Sequence, residues 1–306
     1  MHHARQRRRR RTWIVLLLLT LALLLWCRHH GPPLVLGTFN IRTFPAEETD
    51  LEAVAAALAG LDADAFTVQE IGDPKALKRV LAIAGARTGR RYEVVLSASC
   101  RGRRRDANYS RLHLGVVYDA ARVELVERRD LSSGDSCPNG QPPATLALLR
   151  PHGGPPLALV SVHFQPGRGS REFAARRQQW QWLVGEIARL EAELGAPVVV
   201  AGDFNSTGYL APASHERRFI DGLVEGGGLQ LPSGALGCSM YWQPDRKRSR
   251  WVPSLLDHVL APRGLEIART EALGMCAALA CEPQERAPAG FDSISDHCPV
   301  RFELRR

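Results

Sequence analysis

Short apolar runs of four to eight residues recur along the chain, and residues that favour turns separate many of them. Runs of this length with such boundaries predict buried β-strands. Several runs end at a polar or charged residue, which places a functional group at a rigid strand end. The predicted strands are 34–39, 65–70, 92–96, 112–118, 144–149, 157–164, 198–201, 256–260, 265–268 and 300–304.

Other segments have the spacing of apolar residues that is typical of helices. We expect helices over 51–61, capped by Asp50, and over 74–84. The longest helix begins at Ser170, and its apolar face consists of Phe173, Trp180, Leu183, Ile187, Leu190 and Leu194. Many strands with a few helices between them predict an α/β sandwich. Because no domain-sized linker interrupts residues 34–306, we expect one catalytic domain there.

The N-terminal segment has a different pattern. Residues 1–11 contain six arginines, and residues 12–27 are uncharged and mostly leucine. As a helix the apolar stretch spans ~24 Å, which is short for a ~30 Å hydrocarbon core. Trp13 and Trp26 suit the two membrane interfaces, and the arginines favour a cytoplasmic N-terminus. The pattern predicts a signal anchor, followed by a linker at 28–33 and a domain outside the cytoplasm.

A cleaved signal peptide would have the same charge and length. The small residues expected before a cleavage site are missing from Leu25-Trp26-Cys27-Arg28, however. A buried helix of a soluble protein is a third interpretation. We therefore expect a membrane-anchored domain that is periplasmic or extracellular, or a secreted one if the segment is cleaved.

The net charge of +8 depends almost entirely on the first 30 residues, which hold seven arginines and no acidic residue. The remainder carries 33 basic against 32 acidic residues, so only local patches could attract a polyanion. Two basic loops include an aromatic residue, at 101–111 and at 246–251, which suits a phosphate backbone with stacked bases. A solvated loop is the alternative. The substrate-binding candidates of the first loop are Arg103, Arg104, Arg105, Tyr109 and Arg111.

Six cysteines follow residue 30, and outside the cytoplasm an even count permits disulfides. Cys276 and Cys281 are close enough in sequence to close a small loop, and Cys100 with Cys137 would join two loop regions. Cys298 lies inside an apolar run, which favours a buried free thiol.

The residues at the strand ends indicate hydrolytic chemistry. Glu70 is a suitable Mg²⁺ ligand, although alone it could be an exposed strand end. Asp203 follows a fully apolar run, where an unpaired carboxylate is costly, and Asn205 could donate to a phosphate oxygen. His163 could be a satisfied core histidine. Two further candidates complete the set, Asp257 and His297.

Phosphodiester hydrolysis requires a base to activate water, stabilisation of charge on the phosphate oxygens and assistance to the leaving oxygen. A histidine oriented by a carboxylate suits the first task, and a metal ion on acidic ligands suits the second. A second histidine suits the third. The inventory of strand-end residues therefore predicts a metal-assisted phosphoesterase.

Five short motifs resemble, in order, those of the endonuclease/exonuclease/phosphatase superfamily, and the first is especially similar to that of pancreatic-type deoxyribonucleases. The motifs are Thr38-Phe39-Asn40-Ile41-Arg42-Thr43-Phe44, Gln69-Glu70, Ser161-Val162-His163, Gly202-Asp203-Phe204-Asn205 and Ile294-Ser295-Asp296-His297-Cys298-Pro299-Val300. The similarity covers roughly residues 34–304. It implies a four-layer α/β sandwich, in which two mixed β-sheets pack face to face with helices outside.

The resemblance also implies roles for individual residues. Glu70 would bind Mg²⁺, for which Mn²⁺ or Ca²⁺ could substitute, with Asn40 and Asp296 in or beside the metal shell. Asp203 and Asn205 would act on the scissile phosphate and the attacking water. His297, oriented by Asp257, would be one acid/base, and His163 the other. Arg42, in the first motif, is a further candidate for substrate binding.

The function that follows is a Mg²⁺-dependent phosphodiesterase, an endonuclease acting on nucleic acid, with DNA favoured and no protein partner implied. A phospholipid or inositol-phosphate phosphoesterase similar to sphingomyelinases is the alternative, and a catalytically inactive binding module is a third hypothesis. One departure concerns DNA recognition, because Gly72 stands where the pancreatic-type enzymes have an arginine that reaches the minor groove.

Overall fold

The computed structural model of the chain describes residues 33–98, 112–131, 144–211, 213–245 and 250–305. Within this part of the chain, two six-stranded mixed β-sheets pack face to face, and helices cover both outer faces. The predicted sandwich of two packed mixed sheets flanked by helices is therefore confirmed.

The first sheet contains, in spatial order, β13 (Ile267–Ala272), β14 (Val300–Leu304), β1 (Leu34–Phe44), β2 (Ala65–Ile71), β4 (His113–Asp119) and β3 (Tyr92–Leu96). The second contains β5 (Val123–Leu131), β6 (Ala144–Pro151), β7 (Leu157–His163), β8 (Val198–Asp203), β12 (Asp257–Pro262) and β9 (Leu229–Gln230). A separate ribbon pairs β10 (Met240–Trp242) with β11 (Val252–Ser254). Each large sheet contains one parallel pair, β1–β2 in the first and β7–β8 in the second.

Helices α1 (Leu51–Leu61) and α2 (Pro74–Thr88) cover the first sheet, and α3 (Ser170–Leu194) and α4 (His215–Gly226) cover the second. A short helix, α5 (Gly274–Ala278), precedes the C-terminal segment. Asp50 caps α1 as predicted, since its carboxylate accepts hydrogen bonds from two amides of the first turn.

Alternation along the strands separates the face between the sheets from the faces under the helices. Leu36 on β1 and Ala201 on β8 belong to the core between the sheets. Since every second residue of a strand points the same way, Asn40 and Asp203 continue these inward-facing series. The interface between the sheets is thus apolar over most of its length and becomes polar at one end, where the strand-end residues meet.

Two disulfides, Cys238–Cys281 and Cys276–Cys298, lie in the described part of the chain, with Cα–Cα distances of 5.6 and 6.1 Å. The predicted Cys276–Cys281 loop is therefore wrong, and so is the interpretation of Cys298 as a free thiol. The amide of Cys298 donates to the carbonyl of Ser239 at 2.7 Å, so two distant segments run side by side. The predicted pairing of the two remaining cysteines lies outside the described residues: Cys100 and Cys137.

Among the helices that the structure describes, none has the length and apolar content needed to cross a bilayer. The anchor predicted over 12–27 lies outside the described residues, together with segment 1–11 and most of the linker at 28–33. The anchor and the domain boundaries stay predictions.

Candidate active site

The strand-end residues converge from both sheets at the polar end of the interface. Asn40 and Glu70 come from the first sheet, and His163, Asp203 and Asp257 come from the second. Parallel pairing of β7 with β8 places His163 directly beside Asp203, and antiparallel pairing of β12 with β8 places Asp257 on its other side. The register of these strand pairs therefore places His163, Asp203 and Asp257 side by side across three strands.

Glu70 reaches the site through a local irregularity. Strict alternation on β2 would turn its side chain away from the second sheet, because Gln69 faces inward. The register with β4 shifts between Val68 and Ile71, and Glu70 has a φ of 62°. Bulges of this kind re-aim side chains next to active sites. The left-handed backbone costs on the order of 1 kcal/mol or more, which indicates that the surrounding structure enforces it.

Asn40 joins the carboxylates of the two sheets. Its amide nitrogen donates to Glu70 Oε1 at 3.1 Å and to Asp203 Oδ2 at 3.0 Å, while its oxygen accepts from the amide of Arg42. The other Glu70 oxygen accepts from the amide and hydroxyl of Thr43. Burial raises the pKa of Glu70, but the histidine charges and these hydrogen bonds outweigh it, so the pKa lies below its usual value.

Both candidate acid/base histidines face the same carboxylate oxygen. His163 Nε2 lies 3.5 Å from Asp203 Oδ2 and 3.8 Å from Glu70 Oε1, and His297 Nε2 lies 3.7 Å from Asp203 Oδ2. These distances exceed ordinary hydrogen bonds. Two ring nitrogens that can exchange protons are therefore brought to one oxygen of Asp203.

His297 is held by a buried carboxylate. Its Nδ1 lies 2.8 Å from Asp257 Oδ2, which also accepts the hydroxyl hydrogen of Ser239 at 2.7 Å. Asp257 is fully buried, and His297 is 7% exposed. Burial lowers the pKa of His297, but the charges of Asp257 and Asp203 outweigh it and raise this pKa well above the usual value. The pairing keeps a proton on Nδ1 and leaves Nε2 as the atom that exchanges protons.

The residues present fit a divalent cation. Glu70, His163 and Asp203 each offer a ligand atom, and these atoms lie within 4.8 Å of one another. A second such group contains Asp203, Asp257 and His297, but there Asp257 and His297 are already paired. Among the described residues, no lysine or arginine hydrogen-bonds to these carboxylates. Buried carboxylates without such a partner favour a cation, and oxygen ligands suit Mg²⁺.

Asp296 and Arg42 lie close to this group without joining it. Burial raises the pKa of Asp296, and the charge of Glu70 adds to this rise. Asp296 does not belong to either group of potential ligands in the described residues. Arg42 donates to the carbonyl of Phe291, and its guanidinium lies 5.1 Å from the centre of that ring. Their predicted metal-binding and substrate-binding roles stay predictions.

A buried aromatic cluster fixes the loop that carries Asp203 and Asn205. Phe204 stacks on Trp180 of α3 at 4.5 Å and contacts Phe164 edge-on. Asn205 has a φ of 51°, and its amide nitrogen donates to the carbonyl of Phe164. The outer core therefore orients the two polar residues on either side of Phe204 toward the site.

Arg176, which the sequence analysis missed, connects the loops that follow β7 and β8. It is 1% exposed, pairs with Glu216 of α4 at 2.7 Å and donates to the carbonyls of Gln165 and Gly167. It also donates to the hydroxyl of Thr207. The sequence did indicate that Arg176 is buried, since this arginine falls on the apolar face of the predicted helix. Ser239, also missed, had no comparable signal.

His258 is a core histidine beside the site rather than part of it. Its Nε2 lies 2.6 Å from the hydroxyl of Ser206, and its Nδ1 lies 3.2 Å from that of Ser233. Ser206 also donates to the carbonyl of Leu255, so it accepts from Nε2–H, and Nδ1 accepts from Ser233. This network suits the neutral imidazole, and burial lowers the pKa of His258 to about 3.

We expect His258 to make the protein less stable in acid. The unfolded histidine titrates near 6.5, so between about 6.5 and 3 the unfolded state binds a proton that the folded state does not. Stability should therefore fall by up to ~1.4 kcal/mol per pH unit below 6.5 from this group. His258→Gln should flatten the fall in urea-unfolding free energy between pH 7 and 5. An unchanged slope would mean that His258 is protonated in the folded protein.

The basic-loop candidates lie outside the described residues: Arg103, Arg104, Arg105, Tyr109 and Arg111. Near the described site, Arg168 stacks over Trp242 at 4.1 Å. Arg168 follows His163 by five residues, and Trp242 follows Met240, which pairs with His297. Among the described residues, Arg168 has no carboxylate partner. A cavity of about 280 Å³ adjoins Arg168 between the loops after β7 and β8.

Comparison with solved structures gives the same fold at low identity. TDP2 from D. rerio, complexed with a single-strand DNA product, has a TM-score of 0.63 at 16% identity, over 90% of this chain and 99% of that one. The Bacteroides thetaiotaomicron mannosyl-6-phosphatase Bt3783 has 0.56 at 16%, over 89% and 99%. The catalytic domain of human Nocturnin, with a bound sulfate anion, has 0.60 at 15%, over 89% and 94%.

Comparison with curated proteins found none that matches the sequence. The model of the endonuclease/exonuclease/phosphatase family, in contrast, matches residues 37–297, which include every candidate catalytic residue. The chain therefore belongs to the endonuclease/exonuclease/phosphatase family and is a metal-dependent phosphoester hydrolase.

Proposed function

We propose that the protein is a Mg²⁺-dependent phosphodiesterase that cleaves nucleic acid, with DNA favoured, outside the cytoplasm. The observation that carries the proposal is the convergence on Asp203 of two histidines and a second carboxylate from the other sheet. A phosphate held at this point would face two proton-exchanging nitrogens at once.

In this proposal the carboxylates of Glu70 and Asp203 would hold the metal, which would supply charge stabilisation on the phosphate oxygens, and His163 keeps the acid/base role predicted for it. Water loses a proton to Nε2 of one histidine as its oxygen forms a bond to phosphorus. The bond from phosphorus to the leaving oxygen breaks, and Nε2 of the other histidine protonates that oxygen. Asn205 orients the phosphate, and Asp257 keeps the His297 ring in the productive orientation.

Two described features support nucleic acid as the substrate. Arg168 and Trp242 combine a cation with an aromatic ring near the site, as polyanions with stacked bases require. Arg42 and Phe291 form a second such pair. The loop from Arg101 to Arg105 adds charge in the sequence. The DNA product bound by TDP2 belongs to that protein and serves here as a precedent for the fold.

A substrate panel tests the proposal. Plasmid, single-stranded DNA, RNA, sphingomyelin and phosphoinositides should be incubated with the purified protein, with Mg²⁺ and with a chelator. We expect Mg²⁺-dependent cleavage of nucleic acid, DNA above RNA. Cleavage of the lipids alone would favour the phospholipid or inositol-phosphate alternative and overturn the nuclease.

The proposed location has a separate test. A reporter fused after Arg306 should be active only outside the cytoplasm, because residues 1–11 should stay inside. A reporter that is active only in the cytoplasm would contradict the predicted topology.

A further inference from the structure

Four polar side chains are buried between the sheets, directly behind the candidate active site. We call them the buried polar layer; each is 0% exposed, and its members are Thr38, Thr67, Gln69 and Ser161. Three belong to the first sheet, and Ser161 belongs to the second. On one side the layer borders the apolar core between the sheets, and on the other side it borders the catalytic residues.

The layer connects the two sheets by hydrogen bonds. The hydroxyl of Thr67 lies 3.0 Å from the carbonyl of Ala201 on β8. The amide nitrogen of Gln69 donates to the hydroxyl of Ser161 at 3.1 Å, and that hydroxyl donates back to the carbonyl of Val68 at 3.2 Å. Three bonds therefore cross the interface here, between the Asn40–Asp203 bond of the site and the non-directional apolar contacts of the core.

Every hydrogen-bond donor of the layer has an acceptor within the layer or on a neighbouring strand. Thr38 donates to the amide oxygen of Gln69 at 3.2 Å, and the amide nitrogen of Gln69 donates to Thr67 at 3.1 Å. The single hydrogen of Thr67 has two acceptors, the hydroxyl of Thr38 at 2.7 Å and the carbonyl of Ala201 at 3.0 Å, and Ser161 gives its hydrogen to Val68. A buried network in which every member has a partner is rigid and specifies one arrangement.

Each contact of the layer lies next to a candidate catalytic residue on the same strand. Gln69 immediately precedes Glu70, and Thr38 precedes Asn40 by two residues. On the second sheet, Ser161 and the carbonyl of Ala201 likewise come two residues before the site: they precede His163 and Asp203, respectively. Two residues of a strand span only ~6.6 Å. A shift of one sheet relative to the other would therefore displace the candidate catalytic residues of the two sheets relative to each other.

The candidate metal group straddles the sheets, because its carboxylates Glu70 and Asp203 come from the first and the second sheet, respectively. We propose that the buried polar layer consists of positioning residues, which set the register between the sheets at which this group can bind its metal. The proposal rests on the proposed function only for the identity of the reaction. Apolar residues of similar size would fill the same space but would not fix this register.

Thr67→Val tests the proposal, because it removes the hydroxyl and keeps the side-chain shape. Two readouts are needed: kcat and KM on a small diester, and the rise in Tm that Mn²⁺ causes without substrate. We expect kcat or the metal affinity to fall by ~10–100-fold, as for other groups that orient metal ligands. KM should change little, and the Mn²⁺-induced rise in Tm should shrink.

Two control variants distinguish positioning from general packing. Thr67→Ser restores the hydroxyl and should recover both readouts. Thr145→Val makes the same change at another buried threonine of the second sheet, whose hydroxyl donates to Asp130 instead, and should leave both unchanged. Gln69→Leu repeats the test at a second position in case Thr67→Val does not fold.

Wild-type kcat and a wild-type Mn²⁺ effect in both Thr67→Val and Gln69→Leu would overturn the proposal. An equal loss in Thr145→Val would also overturn it, since the effect would then be one of core packing. If the wild-type protein bound Mn²⁺ but cleaved no diester, the proposed function would fail. The change in Tm would still report whether the layer positions the metal group.

Discussion

Replacing Glu70 with glutamine should lower phosphodiester hydrolysis by at least ~100-fold, which corresponds to ~2.7 kcal/mol of transition-state stabilisation. The amide keeps the shape of the side chain but removes a charge that Asn40 and Thr43 are arranged to stabilise. We expect kcat to fall and the fold to persist, as measured by steady-state kinetics and circular dichroism. Glu47→Gln, at an exposed glutamate, is the matched control.

Undiminished activity of Glu70→Gln would contradict the assignment of Glu70 to the metal. A loss of activity together with a loss of the folded signal would show only that the bulge at Glu70 needs its carboxylate. Mn²⁺-induced stabilisation of the folded variant separates these cases, because it should be weakened when the ligand alone is lost.

The Asp257–His297 pair should behave as one catalytic unit. Asp257→Asn and His297→Gln should each lower kcat by ~10²–10⁴-fold, the usual range for a positioned acid or base. Because Asp257 acts through His297 Nδ1, the double variant should lose little more than His297→Gln alone. Steady-state kinetics on a small diester measures all three variants. Losses that multiply in the double variant would mean that the two residues act independently.

Much of this site could be predicted from the sequence because strand ends obey simple geometry. The apolar run before Asp203 required a strand, and the pairing of β7 and β12 with β8 then brought His163 and Asp257 beside it. The α/β sandwich followed from many short apolar runs with a few helices between them, whereas the packing of two mixed sheets face to face was implied by the resemblance of the five motifs.

Elements with little apolar content were missed. Strand β5 lies at the edge of its sheet, and its sequence Val-Glu-Leu-Val-Glu-Arg-Arg-Asp-Leu contains four charged residues in a row. Helix α4 buries only a narrow stripe around Ile220 and Val224, so its charged residues dominate the pattern. In both elements neighbouring strands or helices, rather than local hydrophobicity, determine the structure.

Contacts between distant segments could also not be predicted from the sequence. The segment around Ser239 runs beside residues 296–298, which brings four cysteines together. Cys298 bonds to Cys276, and Cys238 bonds to Cys281. The buried polar layer had no signal either, since a threonine or serine within a strand is ordinary until its partner on the other sheet is known.

Hydrolysis of a small phosphodiester by the purified protein tests the central claim most directly. The rate should be measured with Mg²⁺, then in excess chelator, then after Mg²⁺ is restored. If residues from the two sheets form one metal-dependent centre, chelation should abolish the activity and Mg²⁺ should restore it. A rate that is unchanged in excess chelator would contradict the account.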